Sequence, residues 1–143
     1  LADALAYATQ YHPSLVIDVA TLTGSAVAAI GNKGIVYMGT ASAKTKIAIQ
    51  EASMKVCERL VEFPLWEEYA KYLESDMADL KNVGGSDSGA ISAGKFLENF
   101  THYPWLHLDI AATAFLHTKE NYRGKGGTGV GVRLLYEFIK NWK

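Results

Sequence analysis

One cysteine, Cys57, stands in 143 residues. An internal disulfide framework is excluded, and a reducing, cytoplasmic setting is expected. An excess of charge is missing too: 14 Lys and Arg face 15 Asp and Glu, for a formal net charge of −1. The basic residues are scattered, so nothing favours nucleic acid or an anionic membrane as partner. No apolar run reaches the length of a membrane span. There are three prolines, and each marks a break or the start of an element. Repeats and linkers are absent as well, so one structural unit is expected, large enough to bury a core.

What is present is an ordinary globular composition, 49% hydrophobic and 20% charged, with periodicities that switch between helix and strand. Leu1, Ala4, Leu5 and Ala8 repeat at helical spacing from the first residue, with no Ser, Thr, Asp or Asn ahead of them as a cap. That pattern reads as the middle of a helix in a longer chain. Pro13 breaks it and pushes His12 out of the helical region. Residues 15–20, LVIDVA, read as a strand apolar on both faces and interior to a covered sheet. A short helix between Gly24 and Gly31 and a strand over 34–38 follow. Ile47, Met54, Cys57 and Val61 predict the buried stripe of a helix over 43–60, with Cys57 as inert core packing. Pro64 opens the next expected helix, with Leu65, Tyr69 and Leu73 on one face. Residues 81–89 are a loop by composition. Ala93, Phe96, Leu97 and Phe100 mark another helix, ended at Tyr103-Pro104. Residues 106–112 repeat the acid-bearing strand pattern, and 117–129 is a polar, glycine-rich loop. Leu134, Leu135, Phe138, Ile139 and Trp142 stripe the last helix. Strands alternating with helices predict an α/β fold.

Two strands carry one acid in an apolar run, Asp18 and Asp109, and each leads into a small-residue loop. Strand alternation puts His107 and Asp109 on one side, which suggests a metal pair with Asp18 as a third ligand. Local hydrogen bonding to His107 or to loop N–H groups is the favoured reading, because buried acids persist when paired. Thr21-Leu22-Thr23-Gly24 follows a strand where open α/β sheets place ligands. Two readings of it stand level: an edge offering backbone groups to an extended peptide, with Gly24 admitting close backbone approach, and a turn held by a Ser/Thr hydrogen bond. The glycines from Gly124 to Gly129 match neither a Walker loop nor G-x-G-x-x-G. Capping of the last helix is favoured over a phosphate cradle. No G-x-S-x-G elbow is present, which disfavours a serine hydrolase.

Together, 18-DVATLTGSA-26, 107-HLDIAATA-114 and 125-KGGTGVGVRLL-135 resemble the C-terminal part of the cytosolic leucyl aminopeptidase family, as do 1-LADALAYA-8 and 82-NVGGSDSGAISAGKFLENF-100. The resemblance runs over essentially the whole chain. It implies a mixed β-sheet sandwiched between helices, here an incomplete piece (1–143) of one peptidase catalytic domain. It implies hydrolysis of N-terminal residues from peptides by a homo-hexameric, cytoplasmic enzyme with two divalent metals, Zn or Mn. The metal ligands and catalytic groups of that family precede the segment matching Leu1, so no metal and no activity are expected of residues 1–143 alone. Substrate contacts carry over to Thr21, Leu22 and Gly24 by loop backbone, and to Thr21, Gly24, Ala111 and Ala114 as walls of an apolar side-chain pocket. Ala112 stands where that family usually has glycine, and Ser86-Asp87-Ser88 makes the loop more polar. The competing expectation is a non-catalytic α/β interaction or phosphate-binding module. Exposed apolar edges of the piece are expected to favour self-association.

Overall fold

Residues 1–142 are described by a computed structural model. Its four-stranded sheet has the order β1-β4-β2-β3, built from β1 (Val16–Ala20), β2 (Ile35–Met38), β3 (Leu60–Glu62) and β4 (Trp105–Asp109). β1 runs parallel to β4 and β3 parallel to β2, while β2 and β4 are antiparallel. The sheet is therefore mixed. β4 is buried along its whole length, with a hydrogen-bonded neighbour on each side.

Helices cover both faces. One layer joins Ile35, Tyr37, Leu106 and Leu108 to Ile49 and Ala52 of α3 (Ala43–Val56) and to Leu134 and Phe138 of α5 (Val132–Lys140). On the other face, Val36 and Met38 meet Ala26 of α2 (Gly24–Ile30) and Ala90 of α4 (Gly89–Glu98). Trp105 packs there with Leu97 and with Leu5 of α1 (Ala2–Ala8). Alternate residues of each strand supply the two layers, as the two-residue period of a strand demands. The α/β sandwich with a mixed sheet is thus present. Among the described residues no helix is long and apolar enough to cross a membrane.

Two glycines are required by close approach. A Cβ on Gly94 would lie 2.1 Å from the Met38 sulfur, so glycine lets α4 sit on β2 without displacing that buried side chain. Gly39 has φ +150°, and its Cβ would lie 2.1 Å from the Trp105 carbonyl oxygen. α3 starts where Ser42 accepts a hydrogen bond from the Thr45 N–H at 3.2 Å. It stops at Cys57, which adopts the left-handed conformation with φ 57°.

Several expectations need correction. α3 ends at Val56 rather than near Leu60, and Ile47 and Met54 are exposed (57% and 72%). Its buried face is Thr45, Ile49, Ala52 and Ser53. The polar members are tolerated because Ser53 donates to the Gln50 carbonyl at 2.8 Å and Thr45 pairs with Ser42. Cys57 is exposed, not core, and Val61 belongs to β3. Pro64 lies outside any helix; a 3-10 helix over Glu67–Leu73 follows it, buried only at Leu73. β1 is not interior: among the described residues it pairs with β4 alone, and Val19 is 38% exposed. Ile139 is 64% exposed, because α5 buries only the narrower stripe of Leu134 and Phe138, and Trp142 lies past the end of α5 with its ring against Phe138. The glycine-rich segment is partly a strand: β6 (Gly126–Gly127) pairs antiparallel with β5 (Phe115–Leu116).

Candidate functional site

β1 and β4 are parallel neighbours, and their register sets Ala20 beside Asp109. The segments that follow, 21–24 and 110–114, therefore leave the same carboxyl end of the sheet side by side, where open α/β sheets place ligands. The Ile110 N–H donates to the Ala20 carbonyl at 2.9 Å and closes the gap between them.

Asp109 then fastens one segment to the other. Its Oδ1 accepts from the Leu22 N–H (3.1 Å) and the Ala111 N–H (3.1 Å). Its Oδ2 accepts from the Thr23 N–H (3.1 Å) and the Thr23 hydroxyl (2.7 Å). The carboxylate is 1% exposed, and four donors aimed at it offset the loss of water. The Thr23 hydroxyl also accepts from the Ala26 N–H at 3.0 Å, capping α2. One buried acid thus fixes a loop, a cap and the start of the second loop. Of the two level readings of Thr21–Gly24, the turn is present, held by the Thr23 hydroxyl between Asp109 and the Ala26 N–H. His107 is not the partner of Asp109.

Asp18 takes that place. Its Oδ1 is 2.6 Å from His107 Nδ1 and its Oδ2 accepts from the Trp105 indole N–H at 2.6 Å. This network lies beneath the loops, and among the described residues the buried His107 Nε2 has no hydrogen-bond partner. Neither acid offers a free carboxylate to a cation. Among the described residues no group of three or more His, Cys, Asp or Glu side chains could hold a metal ion. A divalent-metal centre does not fit these residues.

Of the five residues carried over as substrate contacts, Thr21, Leu22 and Gly24 are exposed, while Ala111 and Ala114 are half-buried. Asp109 brings the 21–24 loop and Ala111 together. A Cβ on Gly24 would meet nothing within 4 Å and its φ is not positive, so among the described residues no backbone closes on it. Glycine here leaves open space at the first turn of α2. Ala112, with its extra methyl, is buried at 6% exposure. A cleft of about 690 Å³ opens next to the 21–24 loop, lined by Leu22, Thr23, Ser25, Gly84, Phe96 and Phe100 among others. Thr21, Gly24, Ala111 and Ala114 do not line it.

Sequence reasoning missed how the 113–114 segment is propped. The Thr128 N–H donates to the Ala114 carbonyl (3.0 Å) and the Thr128 hydroxyl to the Thr113 carbonyl (2.7 Å). The glycines around Thr128 serve this strap: Gly126, Gly129 and Gly131 all have positive φ. The cap of α5 comes from elsewhere, because buried Glu58 accepts from the Gly131 and Leu134 N–H groups at 3.0 and 3.3 Å. A helix cap supplied 73 residues away along the chain leaves no local signal.

The family model and the curated relatives point to one family. The family described as "Cytosol aminopeptidase family, catalytic domain" matches residues 1–136. A probable cytosol aminopeptidase of Geotalea uraniireducens (strain Rf4) is 46% identical over all of this chain and 29% of its own length. One from Geobacter sulfurreducens is 47% identical over 98% of this chain and 28% of its own. Among solved structures, the bottromycin maturation enzyme BotP superposes with a TM-score of 0.92 at 34% identity, over 98% of this chain and 32% of BotP. BotP in complex with Mn gives 0.90. The chain thus spans less than a third of the length of these relatives. Residues 1–136 carry the match, and the chain belongs to the cytosol aminopeptidase family.

Proposed function

We propose that residues 1–143 are the C-terminal portion of a single peptidase catalytic domain in a longer metal-dependent aminopeptidase. That enzyme removes N-terminal residues from peptides, and this portion forms the wall that receives them. The observation that carries the reading is the Asp109 clamp, which holds Leu22, Thr23 and Ala111 together at the ligand end of two parallel strands. Loop backbone at Thr21, Leu22 and Gly24 hydrogen-bonds the peptide. Small residues at Thr21, Gly24, Ala111 and Ala114 leave room for a leucine-sized side chain, whose burial contributes about 1.5–3 kcal/mol. Two divalent ions, Zn or Mn, belong to the whole enzyme and are held by chain other than these residues. The description of one solved relative as a complex with Mn supports a metal, and the engagement of both Asp18 and Asp109 by protein donors favours ligands from other parts of the enzyme. Residues 1–143 alone bind no catalytic metal and are inactive. The whole enzyme is a cytoplasmic homo-hexamer on this reading.

The test is hydrolysis of leucine amide by the full-length gene product and by its Ala111→Leu and Ala114→Leu variants. A filled side-chain pocket lowers kcat/KM for leucine amide by about 10-fold or more, and glycine amide suffers less. Equal loss on both substrates, or none on either, overturns the pocket assignment. Absence of peptidase activity in the full-length protein supplied with Zn²⁺ or Mn²⁺ overturns the function. Calorimetric titration of residues 1–143 with either ion addresses the last point, and a tight two-site isotherm with turnover contradicts it.

A further inference from the structure

Beside Thr113 and Thr128, four basic residues border one open cavity of about 270 Å³: Lys33, Arg59, Arg123 and Arg133, with the Lys33 and Arg133 side chains 68% and 61% exposed. They come from four separate parts of the chain. Two carboxylates answer them. Glu120 pairs with Lys33 at 2.9 Å and with Arg123 at 3.3 Å, and Glu58 pairs with Arg133 at 3.1 Å. Four cations against two carboxylates leave an excess of two positive charges, in a protein whose formal net charge is −1. Among the described residues the Arg59 side chain has no ion pair or hydrogen bond. Arg133 uses only its Nε, toward Glu58. Glu58 does not repel an incoming anion strongly, since both its oxygens already accept from α5 N–H groups and from Arg133.

We propose that this cavity binds a small oxyanion of the phosphate class. Its volume of about 270 Å³ lies below the usual size of a drug-like site. Guanidinium groups fork onto phosphate oxygens in pairs, and lysine adds a point charge. Three guanidiniums and an ammonium offer more donors than the two oxygens of a carboxylate can use, which favours a tetrahedral anion. The site is separate from the peptide wall and does not depend on the aminopeptidase reading. It touches that wall only through Thr113 and Thr128, which line the cavity and hold the 113–114 backbone.

The experiment is calorimetric titration of the full-length gene product with inorganic phosphate at low ionic strength. Phosphoserine serves as a second arm to separate free phosphate from a phosphomonoester, and acetate as the carboxylate control. Saturable binding near one site per chain is expected, weakened at least 10-fold in Arg59→Ala and Arg123→Ala and unchanged in Lys44→Ala. The Arg59 side chain has no partner among the described residues, so its variant should keep the fold, which the melting curve verifies. Phosphate binding that survives both arginine variants lies elsewhere and overturns the proposal. So does no saturable binding, or acetate binding as tightly as phosphate. Peptidase activity is assayed separately, so failure of either reading leaves the other standing.

Discussion

Replacing Asp109 by Asn keeps the shape and removes the charge. Asn can still accept from Leu22 and Ala111 through its one oxygen. Its amide then faces the Thr23 N–H, donor against donor, where Oδ2 accepted at 3.1 Å. A buried donor left unpaired costs about 1–3 kcal/mol. The surviving bonds also lose their charge assistance, which roughly halves them. Release from burying a carboxylate offsets part of this, so Asp109→Asn should destabilise by about 2–3 kcal/mol. Asp109→Ala leaves all four donors without the carboxylate and should cost more than Asp109→Asn, at about 1–3 kcal/mol for each donor that water does not reach. Urea denaturation measures the totals, and amide hydrogen exchange localises them. Protection should fall at Leu22, Thr23 and Ala111 before it falls along β4. If Asn changes stability by less than about 0.5 kcal/mol, the ordinary surface range, and leaves those three amides protected, Asp109 is not the clamp described here.

Three further predictions rest on other parts of the fold. Thr128→Val removes the hydroxyl bonds to Thr113 and Val130 and should lower stability by about 1–2 kcal/mol; Thr128→Ser should restore most of it in the same melt. Burial would raise the Glu62 pKa, but hydrogen bonds from Lys46 and Tyr37 together with the Lys46 charge hold it below the ordinary value. That stabilisation is present above the unfolded pKa of about 4.3 and is lost as pH falls through the folded value. Glu62→Gln should therefore be less stable than the parent at pH 6, by under about 1 kcal/mol given its exposure, and the gap should close by pH 3 in paired melts. Cys57 is exposed and should be alkylated by a neutral reagent in the native state without denaturant, which a core cysteine is not.

How far the sequence could be read follows from where each signal resides. β1, β2 and β4 were legible because their residues are apolar, bounded by turns and of strand length. α2 was legible from glycines at its ends and α4 from its aromatic spacing. α3 misled because apolar residues at Ile47 and Met54 face water while Thr45 and Ser53 are buried with their hydrogen bonds made. Apolar spacing carries no record of which stripe the sheet covers. β3 is three residues long and β5 and β6 two each, so their existence depends on partners distant in sequence. Of the candidate site, the two small-residue loops were visible as a repeated pattern. Their joining by Asp109 required knowing that β1 and β4 are adjacent and parallel, which the 87-residue separation of Leu22 and Asp109 conceals. Glu58 and Thr128 act at the ends of other elements and give no local cue.

The most direct test is a crystal structure of the full-length gene product with a non-hydrolysable dipeptide analogue bound. The inhibitor's backbone should hydrogen-bond the 21–24 loop, and its first side chain should rest against Thr21, Gly24, Ala111 and Ala114, with any metal held by residues outside 1–143. An inhibitor touching neither the 21–24 loop nor the 111–114 wall, or a metal ligated by Asp18 or Asp109, contradicts the account.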